Sequence, residues 1–421
     1  MFTSHSLDNW LQYIESVHPQ TIDMGLARTK QVQEKLNLKP QCPVITVSGT
    51  NGKGSVCAYL TAIYHEAGFK VGTLTSPHLI RFNERIAINA EPVTDELIIQ
   101  AFEAIEQARG DIPLTYFEFN TLAAVWVFAQ QQTDVMVLEV GLGGRLDAVN
   151  VFDTDCAIIT SVDIDHQDYL GTDLETIGFE KAGIFRSNKP AIFGQQPLLN
   201  SVNKHAHDID AQLLCYDTDF SIRTMDNQWD FLFKDKARHA LPIPTMRGTY
   251  QIQNASCALA AIECLYEQLP VTIGAIKRGL IKASNTGRFQ ILPGRPMVIL
   301  DVGHNPHAAR ALVKSLNLLP FASKKIAVFS MLADKDIDEV IEICKGAFDE
   351  WFIAPLNVPR AVAIDVLHQK LNTHGIKQIQ IFENIETAYQ HALSCAQESD
   401  RITVFGSFHT VAEILTQHTL K

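Results

Sequence analysis

Residues 44–55 read VITVSGTNGKGS, and this stretch decides how the surrounding chain is interpreted. Val44–Ser48 is a short run rich in β-branched residues, typical of a buried strand. Gly49–Ser55 follows directly, and from Val56 onward apolar residues recur at helical spacing. A glycine-rich turn between a strand and a helix lets backbone N–H groups point at a phosphate, and the helix N-terminus adds partial positive charge. The stretch therefore predicts a phosphate-binding loop.

The side chains of this loop suit a nucleotide and its metal ion. Lys53 is placed to neutralise phosphate oxygens, and Ser55 is placed to reach a Mg²⁺ ion. The loop departs from the common G-x-x-x-x-G-K-[ST] pattern, because Gly54 separates Lys53 from Ser55. We predict that ATP or GTP binds here, through Gly49, Asn51, Gly52, Lys53, Gly54 and Ser55.

Outward from the loop, short β-rich runs alternate with longer helical patterns. Strands are predicted at 71–75, 135–140 and 157–160, with helices near 94–108 and 119–132. Such alternation predicts a mostly parallel sheet covered on both faces. Residues 211–242 carry aromatic residues among polar ones in short runs, which predicts an antiparallel appendage.

The stretch LPGRP, residues 292–296, combines two prolines with a glycine and is the predicted linker. A second strand–helix alternation follows it. The fold class is therefore α/β, with a P-loop N-terminal domain and a smaller Rossmann-like α/β C-terminal domain. The predicted boundaries are 1–292, 293–296 for the linker, and 297–421.

Composition excludes several classes of protein. The formal net charge is −12 over 421 residues, so binding to nucleic acid is not expected, because that affinity depends on basic patches. The eight cysteines include no C-x-x-C pair, which argues against a zinc ribbon or a disulfide framework and predicts free thiols. The longest apolar run, 122–129, is far short of the ~20 residues needed to cross a bilayer. We expect a cytoplasmic protein that binds no membrane.

Polar side chains at strand ends predict a magnesium site. Glu139 ends an apolar strand, where an unpaired charge is costly, and the competing explanation is an ion pair with Arg145. Ser76 follows another predicted strand and offers a hydroxyl ligand, and His166 offers an imidazole after residues 157–160. These residues are the predicted metal ligands.

Several motifs occur in an order that matches a known family. They are GTNGKGS, SPHL, LEVGLGGRLDA, EKAGIF, GRFQ, DVGHNPHAA and GSFHTV. With them the chain resembles the folylpolyglutamate synthase family of the Mur ligase superfamily, and most closely the bacterial branch that also carries dihydrofolate synthase activity. The resemblance covers about residues 6–415. It implies an ATP-dependent ligase that adds L-glutamate to 7,8-dihydropteroate and further γ-linked glutamates to reduced folates, through an acyl phosphate.

The resemblance also implies roles for residues that the pattern alone does not single out. Lys181 matches a carbamylated lysine that would support a second metal ion, although its sequence context alone indicates a surface helix. Asn254, Arg288 and Asp301 would contact ATP, with two of them flanking the predicted linker. His304 would position glutamate or phosphate, and Ser407 and His409 are weaker candidates for which helix capping is the competing explanation.

Three stretches match the family's dihydropteroate-binding segments. They are Thr21, Ile22 and Asp23; Thr115, Tyr116, Phe117 and Glu118; and Leu146, Asp147 and Ala148. The aromatic rings would stack on a flat heterocycle while the carboxylates accept its N–H groups. The resemblance also implies small-molecule substrates and a monomer.

Three alternatives remain open at this point. A Mur-type peptidoglycan precursor ligase usually carries a separate domain before the phosphate loop, and only 48 residues precede Gly49 here. A folate-only polyglutamate synthase would not use the dihydropteroate segments. A nucleotide switch that forms no bond would need a hydroxyl residue directly after Lys53.

Overall fold

A computed structural model describes residues 2–20 and 22–419 of the protein. The chain divides into two compact units. The first comprises Met1–Thr245 and Ile252–Ser284, and the second comprises Met246–Gln251 and Asn285–Lys421. Among the described residues, no helix combines the length and apolarity required to cross a bilayer.

The first unit alternates strands and helices, as the sequence predicts. Its strands are β1 (Val44–Ser48), β2 (Val71–Leu74), β3 (Ile86–Ile88), β4 (Glu91–Pro92), β5 (Val135–Glu139), β6 (Cys156–Ile159), β7 (Pro190–Phe193), β8 (Gln212–Cys215), β9 (Phe220–Thr224), β10 (Gln228–Phe233) and β11 (Lys236–Pro242). Its helices are α1 (Leu7–Val17), α2 (Ala27–Lys35), α3 (Lys53–Glu66), α4 (Asp95–Arg109), α5 (Tyr116–Gln130), α6 (Gln167–Leu170), α7 (Leu174–Ala182), α8 (Asn200–Asp208), α9 (Gln251–Cys264) and α10 (Ile273–Lys282). The first residue of α9, Gln251, is assigned to the second unit. Short 3₁₀ helices cover Phe82–Arg85 and Ala148–Val151.

The main sheet of the first unit has the order β4-β3-β2-β5-β1-β6-β7-β8. The strands from β2 to β8 in this order pair in parallel, and β3 and β4 join antiparallel at one edge. Because parallel strands end at the same edge, the loops that follow β1, β2, β5 and β6 lie side by side. All five residues of β1 and of β5 are buried, which explains their continuous apolar patterns.

The antiparallel appendage is smaller than predicted. The strands β9, β10 and β11 form a separate antiparallel sheet in the order β11-β10-β9. The strand β8, which lies inside the predicted stretch 211–242, instead pairs in parallel with β7 in the main sheet. Aromatic residues on the appendage strands are buried, Trp229 and Phe231 completely, which explains why they alternate with polar residues in the sequence.

The second unit is the predicted smaller α/β domain. Its elements are β12 (Gln290–Leu292), β13 (Met297–Asp301), α11 (Pro306–Asn317), β14 (Lys325–Phe329), α12 (Ile337–Cys344), β15 (Glu350–Ile353), α13 (Ile364–Thr373), β16 (Ile379–Ile381), α14 (Ile385–Cys395), β17 (Arg401–Phe405) and α15 (Phe408–Thr419). The sheet order is β12-β13-β17-β14-β15-β16, parallel except for β12.

The predicted linker at 293–296 requires a correction. β12 pairs antiparallel with β13, with Leu292 opposite Val298, so residues 293–296 form a hairpin turn inside the second unit. Proline and glycine mark tight turns as readily as linkers, and here they mark a turn. The division between the units falls at Ser284, and Met246–Gln251 also belongs to the second unit.

The cysteines are free thiols, as expected. Most are buried, including Cys57 on α3 and Cys156 on β6, and burial raises the pKa of both thiols. Their burial fits a role as small apolar side chains in the core rather than as nucleophiles.

Candidate active site

The phosphate-binding loop joins β1 to α3 with the geometry that the sequence predicts. Gly52 adopts φ +92°, a left-handed conformation, and immediately precedes α3. A Cβ on Gly52 would lie 2.6 Å from Oδ1 of Asn254, and one on Gly49 would lie 1.9 Å from Oγ1 of Thr160. Both positions therefore exclude a side chain, and Asn254 stands directly against the loop.

The loop after β6 holds the phosphate-binding loop in place. Thr160 Oγ1 donates to the carbonyl oxygen of Asn51 at 2.6 Å, and the backbone N–H of Asn51 donates to Ser161 Oγ at 3.1 Å. The hydroxyl of Thr50 and the backbone of Asp163 are also hydrogen-bonded, at 3.0–3.1 Å. Sequence reasoning missed Thr160 and Ser161, although hydroxyl residues directly after a buried strand were a signal for them.

Lys53 is folded back over the loop. Its Nζ donates to the carbonyl oxygens of Gly49 at 3.0 Å and Thr50 at 3.4 Å. Ser55, on the first turn of α3, is buried. The ammonium group thus lies over the carbonyl oxygens of the turn, and it supplies a compact positive charge there.

The strand ends bring two predicted metal ligands together. The backbone N–H of Ser76 donates to Glu139 Oε2 at 3.0 Å, which joins the loops after β2 and β5. Arg145, the alternative partner for Glu139, instead pairs with Glu180 at 2.8 Å. His166 lies in the loop after β6 at φ +52°, and its backbone N–H donates to Asp165 at 2.8 Å.

These groups fit a magnesium ion that is completed by a nucleotide. Across residues 2–20 and 22–419, no three His, Cys, Asp or Glu side chains are grouped to hold a metal ion by themselves. Mg²⁺ is usually bound through one or two carboxylates together with substrate phosphates and water, so a full cage of protein ligands is not required. A buried carboxylate beside a phosphate-binding loop meets that requirement.

Lys181 is buried on α7, contrary to the surface position that its sequence context indicates. Burial and, to a smaller extent, the nearby charge of Lys53 lower the pKa of its ammonium group to about 7, against the opposing charges of Asp165 and Asp147. Ile177, one turn earlier, is also buried, and that shared helical face was the available signal. The lowered pKa makes the neutral amine of Lys181 accessible near neutral pH.

The three predicted substrate segments meet in the first unit. Gly25, next to the first segment, donates its N–H to the carbonyl oxygen of Leu146 at 3.3 Å. Asp23 and Glu118 both contact the guanidinium of Arg28, at 2.6 and 3.3 Å. Thr21, the first residue of the predicted set, lies outside the described residues. The aromatic pair Tyr116 and Phe117 begins α5 and is half-buried.

The third segment and the aromatic pair converge on the loop after β5. A Cβ on Gly141 would lie 2.7 Å from the Phe117 ring, so that ring packs against the backbone of the loop. Asp147, with Ala148 buried beside it, accepts the N–H groups of Leu142 at 2.9 Å and Val149 at 3.0 Å. Burial raises the pKa of Asp147 to about 7, and the backbone N–H groups that it accepts and the charge of Lys53 oppose this rise.

Glu118 is used differently from the expectation that it accepts substrate N–H groups. Its Oε2 accepts the N–H of Thr115 at 2.7 Å, and its Oε1 accepts the Thr29 hydroxyl at 2.9 Å. Thr115 and Glu118 form a capping box that begins α5. In the structure this buried carboxylate caps the first turn of α5, the turn that carries the aromatic pair, and its contact with a substrate stays a prediction.

The second unit groups its predicted residues at the ends of β13 and β17. Asp301 accepts the N–H groups of Phe289 at 2.9 Å and Gly303 at 2.7 Å, and burial raises its pKa. The Arg288 guanidinium lies 5.3 Å from the ring centroid of Phe408. The ring centroid of His304 is 6.0 Å from the same ring.

His304 and Ser407 have specific local contacts. Nδ1 of His304 lies 2.9 Å from the carbonyl oxygen of Val302, so Nδ1 carries the proton, and in the neutral ring Nε2 presents a lone pair. Ser407 accepts the N–H of Thr410 at 3.0 Å, which confirms the capping explanation for Ser407. His409 is exposed, and burial of part of its ring lowers its pKa.

Two family models match the chain. The Mur ligase middle domain matches residues 47–262, and the Mur ligase glutamate ligase domain matches residues 287–408. Together they span both units and the phosphate-binding loop.

The chain is also similar to named proteins and solved structures. It is 42% identical over 410 residues to the dihydrofolate synthase/folylpolyglutamate synthase of Escherichia coli K12, covering 97% of this chain and 94% of that protein. E. coli FolC in complex with DHPP and ADP matches with a TM-score of 0.95 and 41% identity, over 100% of this chain and 99% of that chain. A bifunctional folylpolyglutamate synthase/dihydrofolate synthase with Mn, AMPPNP and L-glutamate bound matches with a TM-score of 0.91 and 42% identity, over 99% of both chains.

Proposed function

The chain belongs to the dihydrofolate synthase/folylpolyglutamate synthase family of ATP-dependent Mur ligases, and from that premise we propose that it joins L-glutamate to 7,8-dihydropteroate and to reduced folates. The observation that carries the proposal is the convergence of three predicted acceptor segments within the unit that holds the phosphate-binding loop. Asp147, in one of these segments, accepts the N–H of Leu142 in the loop after β5, and β5 pairs with β1, the strand that leads into the phosphate-binding loop.

The residues suit activation of a carboxylate by phosphoryl transfer. A carboxylate is a weak electrophile, so one of its oxygens first attacks the γ-phosphorus of ATP, and ADP departs from the resulting acyl phosphate. Lys53 offsets the repulsion between the two anionic groups, and the loop N–H groups orient the phosphates. A bound Mg²⁺ ion would neutralise part of the phosphate charge, held by Glu139, Ser76 and His166. The amine nitrogen of glutamate then attacks the acyl carbon, loses a proton and expels phosphate.

Lys181 is proposed to be carbamylated and to support a second metal ion. Only a neutral amine reacts with CO₂, and burial of Lys181 favours that neutral form at physiological pH. An intact-mass measurement that shows the carbamate adduct in wild type but not in Lys181→Ala would support the modification. Activity of Lys181→Ala restored by high bicarbonate would contradict it.

Several further assignments rest on resemblance or on sequence. Asn254, Arg288 and Asp301 remain predicted contacts of ATP, and His304 remains predicted to position glutamate or phosphate. The predictions of a cytoplasmic monomer that binds no nucleic acid belong to the same proposal. Sedimentation velocity of the purified protein tests the monomer directly.

Phosphate release tests the proposed reaction. The assay contains ATP, Mg²⁺ and L-glutamate, and it is run separately with 7,8-dihydropteroate and with a reduced folate. We expect release with both acceptors and products heavier by one glutamyl unit, and Lys53→Ala serves as the inactive control. Lys53→Ala is expected to lower kcat about 10²-fold or more, because it removes a preorganised charge from the transferring phosphoryl group.

The other outcomes separate the remaining alternatives. Release with the folate alone would indicate a folate-only polyglutamate synthase. Release with neither acceptor would overturn the proposal and favour a ligase acting on cell-wall precursors. Release without any acceptor would favour a nucleotide switch.

A further inference from the structure

Arg28, on the first turns of α2, links two of the substrate segments. One terminal nitrogen of its guanidinium donates to Asp23 Oδ2 at 2.6 Å, and the other donates to the Asp23 carbonyl oxygen at 2.9 Å. Toward α5, its Nε donates to Glu118 Oε2 at 3.4 Å, and its terminal NH2 nitrogen lies 3.3 Å from Glu118 Oε1. One planar cation thus contacts the loop before α2 and the first turn of α5 at the same time.

Additional contacts restrain the Asp23 side chain and connect the loop that carries it to the third segment. His18 Nε2 lies 3.2 Å from Asp23 Oδ2, so the carboxylate is held from two sides. Gly25 donates to the carbonyl oxygen of Leu146, which ties the same loop to the segment Leu146–Ala148. Glu118, whose side chain is 4% exposed, anchors the Arg28 end of the link in the core.

None of the sequence motifs predicts a role for Arg28, and the reaction chemistry does not use it. We propose that Arg28 is a positioning residue for the dihydropteroate acceptor, acting through Asp23 and Glu118 rather than by touching the reacting atoms. The inference rests on the proposed function, because it assigns the three segments to the acceptor. Arg28 holds the loop bearing Asp23 at a set distance from the aromatic pair, so the site exists before the substrate arrives.

Loss of the guanidinium would release the loop from α5. Hydrogen bonds between charged groups, and the fork geometry of arginine, give both attraction and direction. Arg28→Ala is therefore expected to weaken dihydropteroate binding about tenfold or more. In the variant, the loop that carries Asp23 would become ordered only when the substrate binds, and the cost of that ordering reduces the binding free energy. The phosphate-binding loop is held by other contacts, so affinity for ATP is expected to stay within about twofold of wild type.

Calorimetric titration of the purified full-length enzyme with 7,8-dihydropteroate, and separately with ATP and Mg²⁺, tests the proposal. The variants are Arg28→Ala, Arg28→Lys and Asp23→Asn, together with the double variant Arg28→Ala/Asp23→Asn. Arg278→Ala is the matched control, because Arg278 forms a comparable ion pair with Glu66 at 2.6 Å between α10 and α3. Steady-state kinetics on the same proteins separate KM for the acceptor from kcat.

Support for the proposal requires three results. Arg28→Ala loses affinity for dihydropteroate and not for ATP, Arg28→Lys recovers part of the loss, and the double variant binds no more weakly than the weaker single variant. The last result follows because both substitutions break the same link. Where Arg28→Ala does not fold, Arg28→Gln, which keeps most of the apolar stem, replaces it in the same comparison.

Other results overturn the inference, and they distinguish its failure from a failure of the proposed function. If wild type binds dihydropteroate and Arg28→Ala binds it as tightly as Arg278→Ala does, the inference fails while the proposed function stands. Parallel loss of affinity for ATP and dihydropteroate would reduce Arg28 to a general structural role and also overturn it. A wild-type enzyme that does not bind dihydropteroate would overturn the proposed function together with the inference.

Discussion

Lys181 shows how a single residue departs from what its sequence context indicates. A lysine between glutamate and alanine on a short helix suggests an exposed side chain, yet Lys181 is buried. Burial of an ammonium group opposes folding, so a buried lysine that persists points to a function rather than to stability. The resemblance to a family with a modified lysine singled out the residue, and its burial, which lowers the pKa of the amine, is compatible with the proposed reaction with CO₂.

Replacing Lys181 should stabilise the protein while abolishing activity. In the folded state the pKa of Lys181 is about 7, against an ordinary value of 10.5. Below pH 7 both states bind the proton, and the full cost of burial is present. From pH 7 to about 10.5 the unfolded chain binds more protons, so stability rises with pH. Lys181→Met should therefore raise the free energy of unfolding by about 1–4 kcal/mol near neutral pH, and by less as pH rises.

Urea unfolding at pH 6.5 and 9.5 in bicarbonate-free buffer measures this difference. Lys204→Met is the matched control, because Lys204 is exposed on α8. A stabilisation of Lys181→Met that is equal at both pH values would show that lost charge burial is not its cause.

Phe117 contributes an apolar surface that the acceptor is expected to use. Its ring packs on the Gly141 backbone and is half-buried, so one part of it remains available. Phe117→Ala should raise KM for dihydropteroate by about three- to tenfold, because aromatic pairs contribute roughly 0.5–1.5 kcal/mol beyond area burial. KM for ATP should not change.

Steady-state kinetics compare Phe117→Ala with Phe69→Ala. Phe69 is also half-buried and packs on Tyr64 with ring centroids 5.9 Å apart. Equal changes in both KM values for Phe117→Ala would indicate damage to the fold rather than to acceptor binding.

At the scale of elements, local sequence patterns predicted the strand–loop–helix unit closely. They predicted strand pairing and the boundary between the units poorly. β1 covers Val44–Ser48 as predicted, and α3 begins at Lys53, because apolar runs and glycines act locally. The pairing of β8 with β7 was missed, since short runs do not reveal which strand they join. The proline and glycine at 293–296 predict a linker as readily as the hairpin turn that the structure shows, because both kinds of segment favour these residues.

The conformation of Gly52 allows a matched test of the phosphate-binding loop. Gly52→Ala introduces a Cβ at φ +92° and at 2.6 Å from Asn254 Oδ1. Gly68, which follows the other end of α3, has φ +94° with nothing within 4 Å of its Cβ position. Both substitutions incur the left-handed cost of about 1–2 kcal/mol, but only Gly52→Ala also displaces Asn254.

Gly52→Ala should therefore raise KM for ATP about tenfold or more, and Gly68→Ala should lower stability without changing KM. Thermal unfolding and ATP-dependent kinetics on both variants check the pair. Similar KM values for ATP in the two variants would show that the close approach of Gly52 and Asn254 does not contribute to nucleotide binding.

At the scale of the whole molecule, the net charge of the chain has the same sign as the charge of its proposed substrates. The chain carries a net charge of −12, yet its proposed substrates are anionic. Overall charge therefore cannot attract them, and binding must depend on local groups such as Lys53, the loop N–H groups and the N-terminus of α3. Composition alone predicts no nucleic-acid binding, and it could not reveal this local array, which depends on the order of residues 49–55.

Because a ligand that binds only the folded state stabilises it, ATP with Mg²⁺ should raise Tm in a concentration-dependent way. At ATP about 100-fold above its Kd the added stability is about 2.7 kcal/mol, a shift of a few degrees for a domain of this size. Differential scanning fluorimetry of wild type and Lys53→Ala measures it, with Arg278→Ala as the control that keeps the loop. Lys53→Ala should lose most of the shift, and chelation of Mg²⁺ should reduce the wild-type shift. An equal shift in Lys53→Ala would mean that the nucleotide stabilises the protein at a site other than this loop.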